Sequence, residues 1–232
     1  MAEVLAGDRN VREINSDIKA LIAQGETEIT IQQPGAQHNL GVAILKPIHL
    51  SFMGSVGYYC AGLSDGPTFD IHGSAGWGLA ESLMSGTIRV HGNAGNGAGA
   101  AIRGGTVVIH GSAAARAGVS MKGGLILIGG DCGYMTGFMG QKGTIIVCGD
   151  AGPAFADSMY ETVCYVGGSA DDLGNDAVIE AMTDEDVAFL EATFGEHMPD
   201  QVERIADFKK IVAGRELWNF KTQERAVWRE AL

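Results

Sequence analysis

Seven stretches decide the fold: LSFMG at 50–54, FDIHG at 69–73, IRVHG at 88–92, VVIHG at 107–111, ILIGG at 126–130, IIVCG at 145–149 and CYVGG at 164–168. Each begins 19 residues after the last, with no insertion or deletion from Leu50 to Gly168. Side chains two apart share a face of a strand. Leu50, Phe69, Ile88, Val107, Ile126, Ile145 and Cys164 therefore form one inward column, and Phe52, Ile71, Val90, Ile109, Ile128, Val147 and Val166 a second. A 19-residue unit is too short for a helix pair and carries no 3.6-residue period, whereas one coil of a parallel β-helix needs only short strands and tight turns.

The 35 glycines obey the same frame. Gly86, Gly105, Gly124 and Gly143 form a second series, and Gly57, Gly76, Gly95, Gly133 and Gly152 a third, interrupted only by Ala114. Glycine recurs where a corner demands positive φ or close backbone approach. Ser74, Asn93, Ser112, Asp131, Asp150 and Ser169 follow the marker glycines and are turn formers that hydrogen-bond nearby backbone. The pattern predicts a mainly β chain: a right-handed parallel β-helix over 48–174, with about seven 19-residue coils rising roughly 4.8 Å each.

Open solenoid ends expose core and strand edges, so atypical segments must close them. Residues 1–47 read as an N-terminal α/β cap, with a helix at 16–23 and a strand at 29–31. Residues 175–232 read as a C-terminal helical cap and docking arm. There Thr183 and Asp186 have capping-box spacing before Val187, Leu190 and Phe194, a second helix is predicted over about 200–212, and Trp218, Phe220 and Trp228 are candidate interface residues.

A formal charge of −12 argues against nucleic acid and against anionic membranes. No apolar run approaches the roughly 20 residues that cross a bilayer, and the first residues lack the basic start of a signal peptide, so a soluble cytoplasmic protein is expected. Cys60, Cys132, Cys148 and Cys164 lack C-x-x-C pairing and read as free buried thiols. The run 95–99 (GNGAG) is not a dinucleotide loop, because a repeat strand follows where a helix should open. His72, His91 and His110 hold one place in three successive coils and predict a stacked ladder, since such rings cannot converge tetrahedrally on zinc. No catalytic constellation, cofactor site or metal site is found.

One outward column changes character along the rod. Ser51, Asp70 and Arg89 give way to Val108, Leu127, Ile146 and Tyr165. Four stacked apolar residues predict a covered face. Either the chain's own C-terminal helices or a partner protein covers it, so these four are candidate interface residues.

The stretches GNAGNGAGAAIRGGTVVIHG, ARAGVSMKGG and GDCGYMTGFMGQKGTIIVCGDAGPAFADSMYETVCYVGG resemble the GXGXG domain, the C-terminal β-helix of glutamate synthase large subunits. The resemblance covers about residues 48–171. In chain length, and in GSVGYYCAGLSDG and WGLAESLMSGTIRVHGNA, the sequence is similar to the small GXGXG subunit of N-methylglutamate synthase. The resemblance implies a non-catalytic brace in a hetero-oligomer, beside a glutamine-amidotransferase-like subunit and an FMN-binding subunit that carries an iron–sulfur cluster. It also implies interface or positioning roles for Tyr134, Met135 and Thr136, which match the family's YMTG stretch, and for Arg116, which matches a recurrent arginine. The alternatives are a subunit of another complex such as formylmethanofuran dehydrogenase, which carries a related β-helix, and a free-standing β-helix enzyme.

Overall fold

The computed structural model describes residues 2–217; Trp218, Phe220 and Trp228 lie outside them. The repeat strands are β3 (His49–Met53), β4 (Asp65–Ile71), β5 (Ser85–Val90), β6 (Thr106–Ile109), β7 (Lys122–Ile128), β8 (Lys142–Val147) and β9 (Glu161–Val166). They are preceded by β1 (Ala2–Leu5), α1 (Val11–Ala23) and β2 (Glu28–Gln32). After them come β10 (Ala177–Glu180), α2 (Asp184–His197), a 3-10 segment (Pro199–Asp207) and β11 (Lys209–Ala213). Together the strands form a β-solenoid whose strands join one 11-stranded sheet in the order β1 to β9, then β11, then β10.

From β3 to β9 the pairing is parallel and places each inward residue on its counterpart one coil away, as in Leu50 on Phe69 and Ile126 on Ile145. Both predicted inward columns are fully buried. The opposite wall of the core is also written at the 19-residue step: Cys60, Leu79, Ala98, Ala117, Thr136 and Phe155 are all inaccessible. The interior is one side-chain layer thick. A Cβ placed on Gly118 would meet Ile145 Cδ1 at 2.7 Å, so the strand isoleucine reaches the backbone of the far wall. Burial of such side chains at roughly 25 cal/mol per Å² is the main force holding coil on coil.

Glycine meets two needs here, a positive φ and close backbone approach, and some positions combine them. Gly105, in the second series, has φ +76, where a side chain is strained. Gly149, a marker glycine, is instead needed for space: a Cβ there would lie 2.2 Å from Asp131 Oδ1. That oxygen is occupied, because it accepts the Asp150 N–H at 2.8 Å. The same bond links every neighbouring pair, Asn93 N to Ser74 Oγ at 3.1 Å, Ser112 N to Asn93 Oδ1 at 2.8 Å and Ser169 N to Asp150 Oδ1 at 2.7 Å. The turn formers thus bond forward from coil to coil along one edge.

Positive φ is not confined to glycine. Arg116 (φ +62), Gly118 (+68) and Ser120 (+54) alternate with ordinary residues, and other coils repeat the pattern. The left-handed conformation costs a side-chain-bearing residue about 1–2 kcal/mol. It persists because the amides it turns are all bonded to neighbouring coils, Arg116 N to Tyr134 O, Gly118 N to Ala98 O and Ser120 N to Phe138 O, each at 2.8 Å.

Both ends depart from the sequence expectation in detail. At the start, β1 and β2 continue the parallel sheet into β3. Helix α1 is longer than 16–23 because Asn10 caps it, accepting the Arg12 N–H, and it plugs the end of the core with Ile14 and Ile18. At the other end the Thr183–Asp186 capping box is present and opens α2 as expected. The expected helix over 200–212 is a correction: a 3-10 segment ends at Asp207 and 209–213 is strand. Ile211 is drawn into the core opposite Cys164, and β11 pairs antiparallel with β9. No helix among the described residues is long and apolar enough to cross a membrane.

Candidate partner-facing surface

Three surfaces carry chemistry that the core does not use. The first is the outer face of β3 to β6. His49 Nε2 lies 2.6 Å from Asp70 Oδ2, and the other Asp70 oxygen is 3.8 Å from Arg89. His72, His91 and His110 stack with centroids 4.8 and 5.3 Å apart, the ladder expected from their spacing. Burial lowers the His110 pKa, and the nearby His91, Arg89 and His197 lower it further against the opposing charge of Asp70. Among the described residues no group of three or more His, Cys, Asp or Glu side chains is placed to hold a metal ion.

The second surface is the outer face of β6 to β9, where the four apolar residues stack. Val108, Leu127, Ile146 and Tyr165 are buried against Leu190, Phe194, Met198, Ile205 and Phe208. Of the two covers the sequence left open, the chain's own α2 and 3-10 segment lie over these four residues. A polar lock fixes α2 in place. Tyr165 Oη donates to Asp186 Oδ1 at 2.6 Å, and Lys210 Nζ and the Thr183 N–H donate to Asp186 Oδ2 at 2.9 and 2.8 Å. Burial opposes the charge on Asp186, but the bonds from Tyr165, Lys210 and Thr183 outweigh it and hold the carboxyl well below the usual carboxylate range. Burial, with the hydrogen bond to Asp186, raises the Tyr165 phenol.

The third surface is the stacked turns on the far side from the sheet. An open groove of about 440 Å³ runs along it, lined by Trp77, Glu81, Asn96, Ala115, Arg116 and Tyr134 among others. Two residues matched to the family motif meet here, Arg116 and Tyr134, both exposed. Met135 is half-buried beside them at φ +56, and Thr136 points inward, its hydroxyl donating to Gly133 O at 3.0 Å. The YMT run thus splits into one exposed ring, one turn residue and one core residue. Trp77 is the largest feature that the sequence reading missed. It stacks on Tyr58 at 5.3 Å, as Tyr58 does on His38 at 4.2 Å. Its signal was available, since Tyr58, Trp77 and Tyr134 share one position of the 19-residue frame.

All four cysteines are free and buried. Burial pushes the Cys148 thiol up to about 12, with Arg204 opposing. Such thiols are poor nucleophiles at neutral pH.

No protein-family model matches the chain. Protein GlxC of Rhizobium meliloti (strain 1021) is 51% identical over 212 residues, covering 90% of this chain and 92% of the relative. The chain belongs to the GlxC family. The 212 aligned residues are nearly as many as those the structure describes. Within it, Arg116 and Tyr134 sit together on the turn surface, while Val108, Leu127, Ile146 and Tyr165 sit beneath α2.

Proposed function

We propose that this GlxC-family chain is the structural β-solenoid subunit of a glutamate-synthase-like enzyme. The finer reading is N-methylglutamate synthase, which converts methylamine and glutamate to N-methylglutamate and ammonia. In this reading a glutamine-amidotransferase-like subunit and an FMN subunit with an iron–sulfur cluster carry the chemistry, and the solenoid sets the distance between them. The observation that carries the proposal is how the chain is used. Its core is a solid stack of side chains from Ile29 to Ile211, its thiols are buried and its one histidine series is a stacked ladder. Such a rod is suited to holding other bodies apart, and its exposed aromatic turns offer them a surface. Kinship with GlxC and the likeness to the GXGXG domain support the same reading.

The test is purification from the native source under gentle conditions. The expected result is one complex that shows flavin absorbance and contains all three polypeptides. A chain that elutes alone would overturn the reading. Molybdenum or tungsten in place of FMN would favour a formylmethanofuran-dehydrogenase-like complex, and turnover by the isolated chain would favour a free-standing enzyme.

A further inference from the structure

Trp77 and Tyr134 occupy the same place in coils three apart, and between them the column drops to Asn96 and Ala115. Rings one coil apart stack, as Tyr58 and Trp77 do at 5.3 Å. Rings three coils apart stand roughly 14 Å from centre to centre, which leaves roughly 11 Å between their faces. That gap is twice what an extended strand fills and equals the breadth of an α-helix with its side chains. The floor is low, built on Gly97, Ala100 and Ala115, so a helix backbone can approach closely. The two walls of the groove are oppositely charged, with Glu81 beside Trp77 and Arg116 beside Tyr134. Among the described residues Arg116 enters no ion pair, although the chain carries a formal charge of −12.

We propose that this groove receives an α-helix of a partner subunit, with small or apolar side chains on the floor, a carboxylate over Arg116 and a basic side chain over Glu81. The inference rests on the subunit reading above. A small molecule fits less well. Bound ligands have most of their surface enclosed, whereas both walls here stand open, Trp77 at 55% and Tyr134 at 46% exposure.

The test is co-expression of the full chain with the flavin and amidotransferase-like subunits, with affinity measured on the purified proteins. Trp77→Ala with Tyr134→Ala should weaken association about 100-fold, and Arg116→Glu about 10-fold, because aromatic and arginine anchors dominate interfaces. Ile179→Ser, on exposed β10, should leave affinity unchanged. All variants should keep the parent's thermal midpoint, since these side chains are exposed. Should the double variant lose stability, Arg116→Glu decides alone. A photo-crosslinker replacing Ala100 should label a helical segment of one partner. Unchanged affinity of the groove variants overturns the groove while leaving the subunit reading intact. Crosslinks to a non-helical segment, or to a second copy of this chain, do the same. Failure of the parent chain to bind either subunit overturns both.

Discussion

The outer faces of the two halves of the sheet differ although their inner faces are alike. From β3 to β5 the outer column is Ser51, Asp70 and Arg89, polar, half-buried and bordered by the histidine ladder; from β6 to β9 it is Val108, Leu127, Ile146 and Tyr165, sealed under α2. Both halves keep the same pairing register and equally buried inward columns. The inward columns therefore build the coil, and the outward column decides what lies on it. A solenoid can change its surface along its length without disturbing its core, since each face of a strand is read separately.

The largest break in that comparison is a charge under α2. Leu127→Asp should cost about 4 kcal/mol or more in urea unfolding, because the carboxylate is buried without a partner. Arg89→Ala, two coils earlier in the same column, should cost less than about 1 kcal/mol. Next comes the lock: Asp186→Asn strands the Lys210 ammonium in a half-buried site and should cost about 3 kcal/mol, with faster amide exchange confined to α2 and β11. Gly149→Ala should follow at about 1–3 kcal/mol, since its Cβ has no room beside Asp131, and Asp131→Ala combined with it should recover part of the loss. The smallest effect is a pH dependence at the border between the halves. His110 and His197 are both held neutral to lower pH than a free imidazole, chiefly by burial, with Arg89 near each and Glu196 opposing at His197. Between about pH 6.5 and their depressed values the unfolded chain binds more protons, so stability is full above that window and falls as pH drops through it. Proton NMR of the two imidazoles should give midpoints below 6.5, and His197→Gln should flatten the fall.

The repeat was legible because its causes are local and recur: inward pairs two residues apart, a marker glycine and a turn former at every nineteenth step. The α2 start was legible for the same reason, Thr183 and Asp186 carrying the whole signal. Residues 209–213 differ from the helix expected because Ile211 and Val212 alone are too short a strand signal; the deciding cause is the free edge of β9, 43 residues earlier at its nearer end, which only the folded chain presents. What covers the apolar column stayed open for a like reason. The groove was half legible. Arg116 and Tyr134 came from the family likeness, but Trp77 was passed over because its column is broken by Asn96 and Ala115, the small residues that make the groove.

The reversal at β11 has one more implication. In a stack of parallel coils, every exposed end repeats the hydrogen-bonding spacing of the coil beneath and would accept another chain's first rung. An antiparallel neighbour alternates close and wide bond pairs instead. By running against β9, β11 replaces that template at this end of the coil stack with an antiparallel pairing.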